Sequence, residues 1–338
     1  MPPITHRDVI DATERTAGAL VRTPVIESRE LNARFADAGV KDARVLLKCE
    51  NVQHTGSFKY RGAMNACLCL TSQEQQMGVA THSSGNHGRA LATVARSLDI
   101  PCTVVVPSNA SPTKVDAIRA TGATIIESGP TLDARESTLA DVVATNPMTV
   151  VPPYNHPHVM AGQGTCAVEF VEQLQEFDTI LDVITAPVGG GGLLSGVATW
   201  MHHESPSTTI LGSEPALAGD AADSFNSGTL QPPMPPKTIA DGLRTGLGSL
   251  PFDVIQKRVH DICTTSEEAI IRAMRLVWET ARIVIEPSCA VPIAALLEGS
   301  HSDGSPVDLQ AFSGKSIGVI ITGGNVNLDN LPWERKRS

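Results

Sequence analysis

Short apolar runs alternate with helix-like segments along most of the chain, and this rhythm limits the folds that it can adopt. From residue 79 onward, strand-like runs such as "CTVVVP" and "ATIIES" are each followed by a helix-like segment. A second alternation leads from "AVEFVEQL" to the last apolar run, "SIGVIIT". Such alternation is typical of βαβ units and parallel sheets. The sequence therefore predicts an α/β fold with parallel-rich twisted sheets flanked by helices, in two domains because the chain has 338 residues.

Two of the predicted strands end in junctions that could bind anions. "VITAPVGGGGLLSG" places Gly189, Gly190, Gly191 and Gly192 between a strand and a helix. Glycines let backbone N–H groups surround an anion at a helix N-terminus, so this segment predicts a phosphate site; a tight strand-to-helix turn is the alternative. No G-x-G-x-x-G register fits, which disfavours a dinucleotide. "THSSGNHGRA" suits a substrate carboxylate or is an ordinary helix cap.

One lysine lies in an unusual context. "QHTGSFKYRGA" sets Lys59 between a turn-like Thr-Gly-Ser and the start of a helix rich in small residues. A solvated surface lysine needs no such surroundings, whereas an amine that must react beside a pocket does. The segment therefore indicates a reactive lysine.

Together with the terminal "TGGNVNL", these motifs resemble the fold-type II pyridoxal-phosphate enzymes. The most similar group is the serine/threonine dehydratase and serine racemase family, in particular the eukaryotic-type serine racemases. The resemblance extends from "RTPV" through "KTIADG" and "IEPS" to "TGGNVNL". It implies a tryptophan synthase β-like fold with a large cofactor domain, residues 1–78 together with 159–338, and a small mobile domain, residues 79–158. It also implies a small amino-acid substrate and a homodimer.

The resemblance assigns cofactor roles residue by residue. Lys59 would hold pyridoxal 5′-phosphate covalently, and Phe58 would border the cofactor ring. Asn86 would hydrogen-bond the ring hydroxyl, and the amides of residues 189–192 would bind the phosphate. Thr322 would face the pyridine nitrogen, at a position where the family most often has serine.

The resemblance also assigns residues to the substrate. Ser83, Ser84 and the neighbouring amides would bind its carboxylate, and Ser84 matches the second acid/base group that racemisation requires. His87 is grouped with them, although a packed or capping histidine also fits its position. Arg135 matches a position that turns towards the site when the small domain closes; a surface ion pair with a neighbouring carboxylate is the alternative.

A metal site is predicted in "SEPALAGD". Glu214, the carbonyl of Ala218 and Asp220 offer the oxygen ligands that Mg²⁺ or Ca²⁺ prefers. The same spacing occurs in metal-activated serine racemases, so the resemblance implies Mg²⁺, with Ca²⁺ or Mn²⁺ as other occupants. A solvated acidic loop is the alternative.

The chemistry that follows is elimination. A neutral hydroxyl at Thr322 stabilises a pyridinium less than a carboxylate would, which favours loss of a β-hydroxyl over transamination. Lys59 would act as the base. We therefore expect dehydration and deamination of L-serine, and of L-threonine, to a keto acid and ammonia, together with serine racemase activity.

Three alternatives stay open at this point. The first is a threo-3-hydroxyaspartate ammonia-lyase or an aspartate-directed racemase, which would need an additional cation, with Arg135 or His156 as candidates. The second is a catalytically silent binding protein, against which Lys59 argues. The third is a dehydrogenase, the weakest because the dinucleotide fingerprint is missing.

Composition excludes other classes. The net charge is −10, and the basic residues cluster only in the tail "WERKRS", so we expect no nucleic-acid binding. No apolar run reaches 18 residues and no signal peptide is recognised, so we expect neither a membrane span nor secretion but a cytoplasmic protein. The seven cysteines form no C-x-x-C pair and are interpreted as reduced thiols, mostly in the core. The pairs His156/His158 and His202/His203 lack further ligands nearby, which disfavours a transition-metal site.

Overall fold

The structure is a computed structural model that describes residues 3–333. Its strands are β1 (Val25–Glu27), β2 (Arg44–Cys49), β3 (Val79–His82), β4 (Cys102–Pro107), β5 (Thr124–Ser128), β6 (Thr149–Val150), β7 (Val183–Pro187), β8 (Thr209–Pro215), β9 (Asp261–Thr265) and β10 (Ser316–Ile321). Its helices are α1 (His6–Arg15), α2 (Arg29–Asp37), α3 (Lys59–Leu68), α4 (Ser72–Met77), α5 (Asn86–Ser97), α6 (Pro112–Arg119), α7 (Leu132–Thr145), α8 (Pro157–Leu174), α9 (Gly192–Glu204), α10 (Asp220–Ser227), α11 (Ser249–Arg258), α12 (Glu267–Ala281) and α13 (Pro287–Glu298).

The strands form two sheets. The larger has the order β1-β2-β10-β7-β8-β9, and β1 is antiparallel to β2 while the other neighbours are parallel. The smaller has the order β5-β4-β3-β6 and is parallel throughout. The predicted α/β fold with parallel-rich sheets is confirmed.

Helices cover both faces of the larger sheet. Val45 and Leu47 point to a core formed with α2, α12 and α13, whereas Leu46, between them, points to a core formed with α8 and α9. This alternation follows from the two-residue period of a strand. Burial on both faces explains why the strands read as continuous apolar runs rather than as alternating patterns.

The smaller sheet draws all its strands from residues 79–150. Its helix α5 packs against α3 of the remaining structure, in a core that includes Leu91, Val94 and Met64. The domain boundaries 79 and 158 stay a prediction, although the division of strands between the two sheets agrees with them.

Local sequence features set the ends of several elements. The first helix begins with a capping box formed by Thr5 and Asp8 and ends at Arg15, shortly before the chain turns at Gly18 with a φ of +77°. The run "MTVVPPY" supplies only the two residues of β6, since prolines cannot donate to a strand ladder. Residues 334–338, which form most of the basic tail, lie outside the described residues. Among residues 3–333, no helix is both long and apolar enough to span a bilayer.

Candidate active site

The carboxyl ends of neighbouring parallel strands bring the predicted motifs together. Thr322 follows β10, and the glycine loop (Gly189–Gly192) follows β7, the neighbour of β10. The backbone N–H of Phe58 donates to the Thr322 carbonyl at 3.0 Å, which ties the segment before Lys59 to the end of β10. The serine loop (Ser83–Gly85) follows β3 and leads into α5. This is the edge at which open α/β sheets bind their ligands.

Lys59 is the first residue of α3. Its Nζ donates to the carbonyl of Pro153 at 2.8 Å and lies 5.0 Å from the centre of the Phe58 ring. Burial lowers the pKa of Lys59 from 10.5 to about 8, and the negative charge of Glu286 partly opposes this shift. The amine is therefore neutral, and so nucleophilic, in far more molecules at pH 7 to 8 than a surface lysine would be.

A buried ion network holds the first turn of α3. Arg61 donates to both carboxylate oxygens of Glu50, at 2.6 and 2.8 Å, and to Glu169 at 3.2 Å. Glu169 also accepts from Lys48 at 2.5 Å. Because a buried charge is costly without its partner, this network fixes the helix that begins at Lys59.

The glycine loop is buried, and its backbone N–H groups could bind an anion. Gly191 has a φ of +82°, and a Cβ atom on Gly190 would lie 2.1 Å from the ring of Tyr154, so neither position tolerates a side chain. Among residues 3–333, none of the four glycine N–H groups donates to a backbone or side-chain acceptor. Buried backbone donors are nearly always paired, and here they lie at the N-terminus of α9, which favours a bound anion. A merely tight turn would leave these groups unpaired.

Sequence reasoning missed Tyr154. Its ring packs against Gly190, its backbone and Cβ lie beside Gly192, and burial raises its pKa while the hydroxyl of Thr245 opposes the shift. Tyr154 follows Pro153, the residue that accepts from Lys59, so one loop contacts both the amine and the glycine loop. The sequence "PPYN" carries no motif that would have revealed this contact.

The Thr322 hydroxyl lies 3.1 Å from the sulfur of Cys289. That sulfur donates to the carbonyl of Gly323 at 2.8 Å and accepts from its N–H at 2.9 Å. The thiol proton is thus engaged by a carbonyl, which leaves the sulfur as an acceptor for the Thr322 hydroxyl. Thr322 is nearly fully buried, and its hydroxyl is neutral; its role toward the cofactor ring stays a prediction.

The serine loop precedes an uncapped helix. Gly85 is the N-cap residue of α5, and no side chain caps this end. The N–H of Gly85 contacts the Ser83 hydroxyl at 3.3 Å, and Ser83 and Ser84 are both half-buried. An ordinary Ser or Asn cap is therefore absent, which agrees with a site for a carboxylate.

Glu286 is a second residue that sequence reasoning missed. It accepts from the amide of Asn86 at 2.9 Å and from the backbone of Asn325 at 3.1 Å. Burial raises the pKa of Glu286 to about 7, with the charge of Asp241 adding to the shift. Asn86 also accepts from Asn325 at 2.9 Å, so α5 of the smaller sheet contacts the segment after β10. The motif "IEPS" marked this position without indicating its role.

His87 and Arg135, both predicted to contact the substrate, lie in different environments. His87 is buried, its Nε2 lies 2.9 Å from the carbonyl of Val151, and burial lowers its pKa to about 3, so it is neutral and packed. Its assignment to the substrate stays a prediction.

Arg135 is half-buried, and among residues 3–333 its Nε contacts the Thr131 carbonyl at 3.4 Å but no carboxylate. The alternative surface ion pair is therefore not formed. Its positive charge helps burial to lower the pKa of His82.

The predicted metal ligands are close together and buried. Burial and the charge of Asp220 raise the pKa of Glu214 well above its ordinary value. Glu214 accepts from the backbone of Ala221 and Ala222, and Asp220 accepts from Leu247 at 2.9 Å. Ala218, itself buried, ends the short turn between them. Two buried carboxylates that repel one another fit a bound cation.

Comparisons of this chain with known protein families, sequences and structures agree with this geometry. The family described as "Pyridoxal-phosphate dependent enzyme" matches residues 17–323. The chain belongs to this family. The β-hydroxyaspartate dehydratase of Paracoccus denitrificans (strain Pd 1222) is 43% identical over 329 residues, which cover 97% of this chain and 98% of that relative. The L-threo-3-hydroxyaspartate ammonia-lyase of Pseudomonas sp is 39% identical and covers 96% of each chain. The crystal structure of serine racemase from Dictyostelium discoideum, 39% identical, has a TM-score of 0.86 and covers 96% of this chain and 100% of that one.

The predicted family is thus confirmed, and the protein is a pyridoxal-phosphate-dependent enzyme of the ammonia-lyase and amino-acid racemase type. The residues present fit the cofactor. The unpaired amides of residues 189–192 suit its phosphate, and Lys59 suits its aldehyde. The neutral hydroxyl of Thr322 suits its ring nitrogen. The comparisons establish the cofactor but leave the substrate open.

Proposed function

We propose that this enzyme dehydrates and deaminates threo-3-hydroxyaspartate, a β-hydroxy amino acid with a second carboxylate, with ammonia as the only group lost overall. Loss of water from the substrate gives an enamine, which takes up water and releases ammonia, so the products are oxaloacetate and ammonia. This reaction was the alternative to L-serine in the sequence prediction. Two of the relatives reported above carry hydroxyaspartate activities in their names, which supports the proposal.

The preference for hydroxyaspartate is assigned to Arg135, which would bind the second carboxylate. A second carboxylate needs a cation beside the pocket, and the sequence offered Arg135 and His156. Burial, together with the charge of His158, lowers the pKa of His156, which makes this histidine neutral at pH 7. Within residues 3–333 the Arg135 guanidinium contacts no carboxylate, and its positive charge acts to lower the pKa values of His82 and Tyr154. Guanidinium groups bind carboxylates with two parallel hydrogen bonds, which suits this task.

The protein's own groups would divide the remaining work. Bound pyridoxal phosphate withdraws electrons from the substrate α-carbon. Lys59 would hold the cofactor until the substrate takes its place, and the freed Nζ, whose pKa is about 8, would then take the α-proton. The serine loop orients the substrate carboxylate through the uncapped N-terminus of α5. Thr322 would face the ring nitrogen with a neutral hydroxyl, which stabilises a pyridinium less than a carboxylate would and so favours prompt departure of the β-hydroxyl.

A second candidate activity is dehydration and racemisation of L-serine. Ser84 favours it, because its half-buried hydroxyl lies in the serine loop and the resemblance assigns it as the acid/base group opposite Lys59. We expect Ser84→Ala to abolish formation of D-serine and to spare keto-acid formation from L-serine. Chiral chromatography and ammonia release measure the two rates. Loss of both rates, or of neither, would refute this role of Ser84.

Mg²⁺ belongs to the proposal as a bound activator. Glu214, the Ala218 carbonyl and Asp220 would supply three oxygens, and water would complete the shell. The raised pKa of Glu214 supports a nearby cation. Unchanged activity after exhaustive chelation would contradict it. A homodimer is proposed on the resemblance alone, and a cytoplasmic location on the sequence; sedimentation at several protein concentrations tests the homodimer.

The substrate panel tests the proposal. L-threo-3-hydroxyaspartate, L-serine, D-serine and L-threonine are compared by ammonia release and by identification of the keto acid. We expect the highest kcat/KM with hydroxyaspartate and formation of oxaloacetate. Arg135→Met should lower kcat/KM for hydroxyaspartate by about 10- to 150-fold, the loss of a charge-assisted hydrogen bond, and should affect L-serine much less. Arg135→Lys keeps the positive charge and is the matched control. It should retain part of the kcat/KM for hydroxyaspartate. Equal losses with both substrates would refute the role of Arg135.

A further inference from the structure

Three side chains that can bind a metal meet outside the active site. Asp261 and Cys263 lie on β9, and His301 lies on the loop that follows α13. One ligand atom from each lies within 4.8 Å of those of the other two. His301 is far from Asp261 and Cys263 in sequence, which explains why no cysteine motif revealed the cluster.

The backbone fixes this arrangement. Thr264 and Ser300 exchange both of their backbone hydrogen bonds, at 2.8 and 2.9 Å, as an antiparallel pair. In that register Cys263 lies opposite His301, in a non-hydrogen-bonded position where facing side chains come closest. Asp261 is two residues before Cys263 and so points to the same side of β9. The three side chains are therefore brought together by strand pairing.

The carboxylate is already oriented. One oxygen of Asp261 accepts from the backbone of Ile262 at 2.8 Å and of Ser302 at 3.3 Å. The other oxygen lies 2.6 Å from Nδ1 of His301. Hydrogen bonds of this kind to one oxygen are what hold a ligating carboxylate in place.

Cys263 is buried, and among residues 3–333 its sulfur forms no hydrogen bond. Burial raises its pKa to about 12, so the thiol is inert as a nucleophile. His301 is about one-third exposed, which leaves a path for an ion from solvent.

We propose that Asp261, Cys263 and His301 form a zinc site that clamps the edge strand β9 to the loop after α13. Thiolate, imidazole and carboxylate form a ligand set that suits Zn²⁺, and a water would complete a tetrahedral shell. On binding, the thiol proton leaves to solvent and a sulfur–zinc bond forms. The imidazole moves its proton from Nδ1 to Nε2 and ligates through Nδ1, so one proton is released per ion.

Another cluster, His6, His203 and Glu204, contains no sulfur. The rings of His6 and His203 stack face to face at 3.7 Å, so their nitrogen lone pairs lie in nearly parallel planes and do not converge on one ion. The proposed Mg²⁺ site offers only oxygen. A thiolate-to-metal absorption band therefore reports on Cys263 and distinguishes the proposed zinc site from the histidine cluster and from the proposed Mg²⁺ site.

Cobalt substitution tests the proposal. Holoenzyme freed of metal by chelation is titrated with Co²⁺, and difference spectra are recorded. We expect the thiolate-to-cobalt charge-transfer band and the visible d–d bands of tetrahedral Co²⁺, saturating at one equivalent, released by Zn²⁺. Cys263→Ser should abolish the charge-transfer band, and His301→Ala should weaken Co²⁺ binding at least about tenfold. Cys69→Ser, which removes a half-buried thiol elsewhere, should leave the spectrum unchanged.

Two results would overturn the proposal. The first is absence of a thiolate band in the unaltered protein. The second is persistence of the band in Cys263→Ser. If Cys263→Ser does not fold, His301→Ala and Asp261→Asn decide the question, since full cobalt affinity in both would exclude the site. Zn²⁺ should also raise the melting temperature of the unaltered protein and not that of the variants.

Discussion

The lowered pKa of Lys59 predicts how the metal-free and cofactor-free protein captures pyridoxal phosphate. The amine attacks the aldehyde only when it is neutral. With a pKa of about 8, about 25% of the amines are neutral at pH 7.5, whereas an ordinary lysine would have about one neutral amine in a thousand. Capture at this pH should therefore be about 200-fold faster than expected for a surface lysine of equal reactivity.

The assay is stopped-flow absorbance of apoenzyme mixed with pyridoxal phosphate at pH 6 to 9.5, with Nα-acetyl-lysine as the reference amine. The capture rate should rise about tenfold per pH unit below 8 and level off above about 9. Glu286→Gln removes the negative charge that opposes the shift, so its rate should level off at lower pH. A rate that keeps rising tenfold per unit through pH 9.5 would refute the argument from burial.

Three further predictions concern the scaffold. The raised pKa of Glu214 means that, as pH rises above about 4.5, the unfolded state loses this proton before the folded state does. Metal-free stability should then fall. Mg²⁺ should raise the melting temperature more at pH 8 than at pH 5, and not in Glu214→Gln; equal gains at both pH values would contradict this. Gly190→Ala places a Cβ atom 2.1 Å from the Tyr154 ring, so it should cost about 1–3 kcal/mol in thermal unfolding and weaken cofactor binding. Tyr154→Ala in the same chain should restore part of the stability, and an unimpaired single variant would be inconsistent with the contact. Glu50→Gln leaves Arg61 buried without its main partner, and urea denaturation should show a loss of about 3–5 kcal/mol; a loss below about 1 kcal/mol, typical of surface pairs, would argue against a structural role.

The sequence predicted those parts of the site that depend on backbone chemistry. The glycine loop was recognisable because only glycine permits a φ of +82° at Gly191 and leaves room beside Gly190 for Tyr154. Lys59 was recognisable because its neighbours suit a turn and a helix start rather than a solvated surface. These requirements act within a few residues and therefore leave local patterns.

The parts that sequence reasoning missed arise from contacts between distant segments. Tyr154 reaches the glycine loop, and Glu286 meets Asn86, only after the two sheets have assembled. The alternative ion pair of Arg135 was reasonable from adjacent carboxylates, but in the structure none of them contacts the guanidinium. Which cation faces a pocket is a property of tertiary packing.

The measurement that tests the central claim most directly is the location of the cofactor on the chain. Borohydride reduction of holoenzyme fixes pyridoxal phosphate irreversibly to its lysine, and peptide mapping by mass spectrometry identifies that residue. We predict a phosphopyridoxyl group on the peptide that contains Lys59, at one equivalent per chain, and none in Lys59→Ala. A fully loaded protein whose Lys59 is unmodified, or whose label lies on another lysine, would contradict the account.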